Sequence, residues 1–145
     1  MAEHLNQSEF LNCACHCGAV QFIVKLSDEF NNARRCDCSL CQMRGAVVAS
    51  ANREDIQITA GSEHMKLYRF NTMQAEHHFC GICGIYTYHL RRSNPDEISI
   101  NVACIEGVSP FDFPRIPVYD GQTHHNDRPG GAAYRIAGYL SYKTV

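Results

Sequence analysis

The amino-acid sequence predicts a mainly β protein built from antiparallel strands. Apolar and polar residues alternate in several short stretches, which is typical of strands with one buried face. No stretch shows a long helical period of apolar residues. The chain has 145 residues, 45% of them hydrophobic, which is enough to bury one hydrophobic core. We therefore expect a single domain over residues 1–145.

The alternating stretches follow one another along the chain. In order, the apolar positions that share a face are Val20, Phe22, Val24 and Leu26; Ile56 and Ile58; Tyr86, Tyr88 and Leu90; Ile98, Ile100, Val102 and Cys104; and Tyr134, Ile136, Leu140 and Tyr142. Gly138 falls within the last series, where a glycine indicates a β-bulge or a close approach of two backbones. Each series is interpreted as one strand.

Residues 107–131 break this pattern, because they contain four of the five prolines and many polar side chains. Proline lacks a backbone donor and fixes φ, so we expect no central strand in this segment. A long irregular connection is usually either functional or disordered. Phe111, Phe113 and Tyr119 argue against disorder, and we expect the segment to cover another part of the molecule.

Composition excludes several classes of function. The net charge of −2 argues against a non-specific nucleic-acid binder. No apolar run approaches the ~20 residues of a membrane-spanning helix. The first residues, MAEHLNQSEFLN, have neither the basic start nor the apolar stretch of a secretory signal. We expect a cytoplasmic protein without nucleic-acid or membrane partners.

The nine cysteines are the strongest functional signal in the chain. Cytoplasmic thiols stay reduced, and cysteine clusters there bind metal or perform chemistry more often than they form disulfides. An odd number of cysteines would also leave one unpaired if all the others formed disulfides. Metal binding is therefore the favoured interpretation.

Seven cysteines fall into three short motifs: C-H-C-G at 15–18, C-D-C-S-L-C at 36–41 and C-G-I-C-G at 80–84. A closed structural zinc site has four protein ligands, and Cys80 and Cys83 supply two. The second pair has to come from the trio 13, 15 and 17 or from the trio 36, 38 and 41, and spacing alone does not decide between them. Gly18 permits a turn that favours Cys15 and Cys17, which leaves the first cysteine of that trio spare.

The C-x-C-x-x-C motif then forms a group of its own. Cys36, Cys38 and Cys41 can surround one metal ion and leave its fourth position open, as in catalytic zinc sites. A substrate thiol could occupy that position and be held as thiolate. The alternative is a closed structural site completed by Cys13, by Cys104 or by a histidine, and the spacing leaves both possibilities open.

The ordered motifs C-H-C-G, C-x-C-S-x-C and F-C-x-x-C-G, followed by ISINVACIEG, resemble the glutathione-dependent formaldehyde-activating enzyme family, which includes centromere protein V. The resemblance covers most of residues 13–107, and residues 115–142 fit more loosely. It implies a fold of stacked antiparallel sheets built around two zinc ions. By motif, it assigns the structural zinc to Cys15, Cys17, Cys80 and Cys83, and the catalytic-type zinc to Cys36, Cys38 and Cys41.

The resemblance also implies an activity. The family acts as a carbon–sulfur lyase that condenses formaldehyde with glutathione to S-hydroxymethylglutathione, so the expected partners are a small thiol and a small aldehyde. No G-x-G-x-x-G fingerprint is present, and no dinucleotide is expected. Two other classes remain in competition: a zinc-stabilised binding module without catalytic activity, and a thiol redox enzyme that uses Cys104 or Cys13 as nucleophile.

Arginine and histidine residues supply further candidates. Arg34, Arg35 and Arg44 flank the second motif, where they could offset the charge of a zinc–thiolate group or bind a substrate carboxylate. We take Arg44 as a candidate substrate contact. We also take His124, within residues 107–131, as a candidate that moves a proton near the second metal.

Four other positions are expected to have no direct role in the chemistry. Each expectation follows from the residues that stand next to the position in the sequence. We expect His16 to point away from the metal and Cys104 to belong to the core. We expect His77 and His78 to lie at the surface, the alternative being that one of them hydrogen-bonds a sulfur.

Overall fold

The computed structural model of the protein describes residues 10–92, 94–122 and 135–145. Within these ranges the strands, in chain order, are β1 (Leu11–Ala14), β2 (Gln21–Leu26), β3 (Arg35–Cys36), β4 (Val48–Ala60), β5 (Met65–Tyr68), β6 (Glu76–Cys80), β7 (Tyr86–Leu90), β8 (Glu97–Asn101), β9 (Arg115–Tyr119) and β10 (Ile136–Ser141). One α-helix, α1 (Ser39–Arg44), follows β3. Short 3-10 turns occur at Ser62–His64, Val102–Cys104 and Pro110–Asp112.

The strands form two sheets. Seven strands make a sheet in the order β1-β2-β4-β8-β7-β6-β5, and three make a smaller sheet in the order β10-β9-β3. All pairs in the larger sheet are antiparallel, and β3 pairs with β9 in parallel over two residues. The predicted mainly β domain of antiparallel sheets is confirmed. No helix in the described ranges is both long and apolar enough to cross a membrane.

The hydrophobic core lies against the central strands β2, β4 and β8. Two of the series predicted from alternation are buried there, and their largest fully buried apolar side chains are Val20, Phe22, Val24, Ile98, Ile100 and Val102. Burial of each such side chain stabilises the fold by ~1.5–3 kcal/mol. The buried face expected for the last series is wrong: Ile136, Leu140 and Tyr142 are each 46% exposed. Ile116 of β9 belongs to the same core cluster, so the smaller sheet packs on the larger one.

The opposite face of β8 is also buried, although the alternating pattern predicts a polar, solvated face. Ser99 and Asn101 are only 1% and 8% exposed. The Ser99 hydroxyl accepts a hydrogen bond from Arg34 over 3.1 Å, and the Asn101 amide donates to the Tyr86 carbonyl over 2.9 Å. Hydrogen bonds satisfy these buried polar groups, as burial requires.

The proline-rich segment contains a strand that the sequence does not predict. β9 is the central strand of the smaller sheet, so the expectation of no central strand within residues 107–131 is wrong. Proline is tolerated because β3 pairs only with Val118 and Tyr119, and Pro117 has a partner strand on the β10 side alone. The bulge predicted at Gly138 is confirmed by a register shift between Ile136 and Gly138.

Candidate metal centres

The first cysteine group joins two distant parts of the chain. The sulfur atoms of Cys15, Cys17, Cys80 and Cys83 all lie within 4.8 Å of one another. The Cys15–Cys17 and Cys17–Cys80 sulfur distances are 3.6 and 3.8 Å. Four sulfurs at ~2.3 Å from a tetrahedral ion are separated by about 3.8 Å. The donors and their spacing therefore fit a zinc-sized ion.

Tight turns aim these sulfurs at one point. Gly18 and Gly84 have φ values of +78° and +79°, which side chains other than glycine rarely adopt. The turns direct backbone N–H groups at sulfur: Val20 donates to Cys15 Sγ and Ile82 to Cys80 Sγ, each over 3.3 Å. Such donors stabilise thiolates, the form of cysteine that binds metal.

The second group is formed locally. The sulfur atoms of Cys36, Cys38 and Cys41 also lie within 4.8 Å of one another, and this group could hold a metal ion as well. Cys36 ends β3, Cys38 caps α1 and Cys41 lies in its first turn. Backbone N–H groups of Cys38 and Cys41 donate to Cys36 Sγ and Cys38 Sγ over 3.4 and 3.3 Å. Hydrogen bonds from the Cys36 and Cys41 thiols and from the backbone hold the pKa of Cys38 well below its ordinary value.

The segment after β9 covers this second group, as expected for part of residues 107–131. A Cβ atom at position 121 would overlap the Cys36 Sγ and lie 2.7 Å from the Cys38 Cβ, so only glycine fits there. The Gly121 N–H donates to an Asp37 carboxylate oxygen over 2.6 Å. The Asp37 N–H in turn donates to the Tyr119 carbonyl over 3.1 Å. These hydrogen bonds hold the segment after β9 against the second cysteine group.

A cavity of about 330 Å³ adjoins the second group and not the first. Its volume is at the lower end of the range for small-molecule sites. Among the described residues, no fourth cysteine, histidine or carboxylate joins the three sulfurs. The cavity lining includes Cys36, Cys38, Cys41, Arg34, Arg35, Arg44, His77, His89, Arg91, Arg92, Tyr119 and Asp120. Five arginines against one aspartate make this wall strongly cationic.

Arg44 lies against the sulfur group rather than projecting freely. Its Nη2 donates to Cys41 Sγ over 3.5 Å and its Nη1 bonds to His77 Nδ1 over 3.1 Å. The guanidinium also lies over the Tyr86 ring, 3.6 Å from the centroid. A guanidinium held this way offsets negative charge on the three sulfurs.

His77 is buried, so the expectation of a surface position is wrong for this residue. It is 7% exposed, and its ring stacks on that of His89 with centroids 4.8 Å apart. Burial and the neighbouring Arg44 guanidinium lower the pKa of His77 to about 4. Because arginine only donates, Nδ1 accepts, and the neutral ring carries its proton on Nε2. His78 is half-buried and stacks on Tyr88.

The remaining candidates from the sequence are two cysteines and two histidines. Cys104 belongs to the core as predicted, and Cys13 is buried beside it. Burial raises the pKa of each of these thiols to about 12. His16 is exposed and is not part of the first sulfur group. His124 lies outside the described residues, so its predicted role stays a prediction.

Sequence reasoning missed His89, Tyr86 as a site residue, and Gly121. His89 is half-buried between the strands around it, and its Nδ1 lies 2.6 Å from the Tyr86 hydroxyl. Neither residue belongs to a motif, and the alternating pattern places Tyr86 only on the buried face of a strand. Gly121 had a signal in the sequence, a glycine directly after Asp120 in a segment expected to cover something, but its target was not identifiable.

Together these features define a β-sheet protein with two cysteine groups that could each hold a metal ion, one of them beside a cationic cavity. The sequence model of the glutathione-dependent formaldehyde-activating enzyme family matches residues 10–119, a range that contains both groups. The chain belongs to this family.

Two relatives extend the comparison. A Halomonas elongata protein named "Putative glutathione-dependent formaldehyde-activating enzyme" is 33% identical over 81 residues, which cover 50% of this chain and 51% of that protein. The match thus spans about half the length of this curated relative. A crystal structure of a Rhodobacter sphaeroides protein is 50% identical, with a TM-score of 0.74 over 74% of this chain and 99% of that chain.

Proposed function

We propose that the protein is a zinc-dependent carbon–sulfur lyase that condenses formaldehyde with glutathione to S-hydroxymethylglutathione. One observation carries this proposal: Cys36, Cys38 and Cys41 form a three-sulfur group beside a cavity, without a fourth ligand among the described residues. Three protein ligands with one open position are the arrangement of catalytic zinc. Family membership supports the substrate pair.

The reaction is an addition without a change in oxidation state. The thiol sulfur forms a bond to the carbonyl carbon, the C=O π bond breaks, and the thiol proton ends on the new hydroxyl oxygen. Zinc bound by Cys36, Cys38 and Cys41 would keep the incoming thiol deprotonated and act as a Lewis acid. No electron carrier is required.

The protein's own residues prepare the cavity for this addition. Arg44 holds positive charge against Cys41 Sγ, which offsets the negative charge that accumulates when a further thiolate joins three cysteines. His77 stays neutral at physiological pH because its pKa is about 4. It therefore accepts the Arg44 hydrogen bond at Nδ1 instead of repelling the guanidinium.

Cys15, Cys17, Cys80 and Cys83 would bind the second, structural zinc in this proposal. Their four sulfurs would supply all four ligands of a closed site, and none of these cysteines lines the cavity. A closed four-ligand site contributes directly to folding. The proposal places the enzyme in the cytoplasm, where thiols stay reduced, with a small thiol and a small aldehyde as its partners.

The alternative is a zinc-stabilised binding module, which needs a protein ligand at the fourth position of both sites. The cysteines available for this role bond elsewhere. Cys13 Sγ donates to the Leu11 carbonyl over 3.7 Å, and Cys104 Sγ donates to the Tyr86 carbonyl over 3.5 Å. The described residues thus favour an open site.

The test is the rate of thiol addition measured by exchange NMR with ¹³C-formaldehyde and glutathione. Protein loaded with two zinc ions should accelerate formation of S-hydroxymethylglutathione over the uncatalysed reaction. Cys38→Ser should lose this acceleration, while Cys104→Ser, a matched change in the core, should keep it. No acceleration by fully loaded wild-type protein would exclude the lyase.

A further inference from the structure

We propose that Arg34 forms a carboxylate-binding subsite on the wall of the cavity beside Cys36, Cys38 and Cys41. The inference rests on the proposed function only in placing a ligand in this cavity. It specifies which group of that ligand this wall of the cavity recognises, namely a carboxylate.

Arg34 is a buried cation whose bonding partners are all neutral. It is 8% exposed, and it donates to the Asn32 carbonyl, the Ser50 hydroxyl and the Ser99 hydroxyl over 3.0, 3.1 and 3.1 Å. Among the described residues it forms no ion pair with a carboxylate. Burying an unpaired charge is costly, whereas a fixed guanidinium recognises a carboxylate through two parallel hydrogen bonds.

Other arginines of the cavity have charged or sulfur partners. Arg91 pairs with Glu97 over 2.6 Å, and Arg44 bonds to Cys41 Sγ over 3.5 Å. Asp120, the one carboxylate of the lining, pairs with Arg135. The lining therefore leaves the buried Arg34 guanidinium without a carboxylate in hydrogen-bond contact, and Glu97, the carboxylate that acts on its charge, is already paired with Arg91.

The position of Arg34 suits a ligand that also reaches the sulfur group. Arg34 and Cys36 are two residues apart in an extended segment, so their side chains leave the backbone on the same side. Both line the cavity. Hydrogen bonds to Ser50 on β4 and Ser99 on β8 hold the guanidinium in one orientation, which reduces the entropy lost when an anion binds.

Two sources could supply the carboxylate: the thiol substrate, as in a carboxylated thiol such as glutathione, or a carboxylated aldehyde. The probe for the first is S-methylglutathione, which keeps the carboxylates and has no free thiol. The probe for the second is glyoxylate. Binding of each to the two-zinc protein is measured by isothermal titration calorimetry, so the readout does not depend on turnover.

Wild-type protein should bind S-methylglutathione at least about tenfold more tightly than its dimethyl ester, since a charge-assisted pair is lost in the ester. Arg34→Gln should bind the acid as weakly as wild type binds the ester, and Arg34→Lys should fall between them. Arg115→Gln, which removes an exposed arginine outside the cavity, should bind like wild type. Glyoxylate binding that depends on Arg34, without binding of S-methylglutathione, would assign the subsite to the aldehyde.

Three results would overturn the inference: equal binding of acid and ester by wild type, unchanged binding by folded, zinc-loaded Arg34→Gln, or no binding of either probe. The comparison of acid with ester uses wild-type protein, so equal binding would overturn the inference even if Arg34→Gln does not fold. Arg34→Lys, which keeps the charge, then tests whether the preference for the acid depends on Arg34. Binding that depends on Arg34 without acceleration of formaldehyde addition would exclude the lyase and leave the subsite. Acceleration of formaldehyde addition that is unchanged in Arg34→Gln would exclude the subsite and leave the lyase.

Discussion

Gly121 lies so close to Cys36 that a Cβ atom at position 121 would overlap the Cys36 sulfur. The segment after β9 thus forms a wall of the second cysteine group, although Gly121 lies 84 residues after Asp37 in the sequence. A residue outside every cysteine motif therefore lies directly against one of the candidate metal ligands.

Gly121→Ala should therefore weaken metal binding at the second group. The methyl group has no space, so the segment or the sulfur has to move, and we expect affinity for the second ion to fall by about 10–100-fold, as for lost outer contacts of metal sites. Metal analysis after dialysis against a chelator should find one ion per chain. Gly138→Ala is the control, because no atom lies within 4 Å of its Cβ position. Two ions retained in Gly121→Ala would contradict the prediction.

The two cysteine groups should differ in their effect on folding. Cys83→Ser should lose most of the cooperative thermal transition, because it opens a closed site that joins two distant parts of the chain. Cys41→Ser should keep the transition and lose one metal ion, because its group is local to β3 and α1. Circular dichroism melting with metal analysis measures both. Equal destabilisation by the two variants would show that neither site is specifically structural.

Arg44 should act on the metal-binding sulfurs rather than on substrate alone. Arg44→Ala removes the donor to Cys41 Sγ, so we expect second-site zinc affinity to fall by about 10–100-fold. Arg44→Lys should recover part of the affinity, since it keeps the charge but not the forked contact. Competition with a chromophoric chelator measures the affinity, and Arg115→Ala provides a surface control. An unchanged affinity in Arg44→Ala would restrict the residue to substrate binding.

His77 should make the fold less stable in acid. Its pKa is about 4 in the folded protein against 6.5 for an ordinary histidine, so between these values the unfolded chain binds more protons. Stability therefore falls as the pH is lowered from about 6.5 toward 4. His77→Asn should show a smaller fall in the free energy of unfolding between pH 6.5 and 5, measured by urea denaturation. Both proteins keep the same cysteines, so acid loss of metal largely cancels in the comparison.

Cys13 and Cys104 should be chemically inert in the folded protein. Burial raises the pKa of both thiols to about 12, and the thiolate is the reactive form. Mass spectrometry after treatment of zinc-loaded protein with iodoacetamide at pH 7.5 should find both unmodified. Rapid alkylation of Cys104, together with loss of activity in Cys104→Ser at full zinc content, would instead favour thiol redox chemistry.

Much of the fold could be predicted because burial leaves a direct trace in the sequence. The series at Val20–Leu26 and Ile98–Val102 alternate, since side chains of a strand point to opposite faces. Prediction failed where both faces are buried, as at Ser99 and Asn101, because their polarity suggested solvent. It also failed at β9, because the tolerance of Pro117 depends on how short the neighbouring strand is.

The sequence by itself determined the mainly β fold and the division of seven cysteines into short glycine-flanked motifs. It did so because alternation and turn residues are local properties of the chain. Only the tertiary structure decided that the cysteine pair at 15 and 17 lies beside the pair at 80 and 83. It also decided that Gly121 covers Cys36, and that Arg34 and His77 are buried at one cavity. These relationships join residues far apart in sequence, and no local pattern encodes a distance through space.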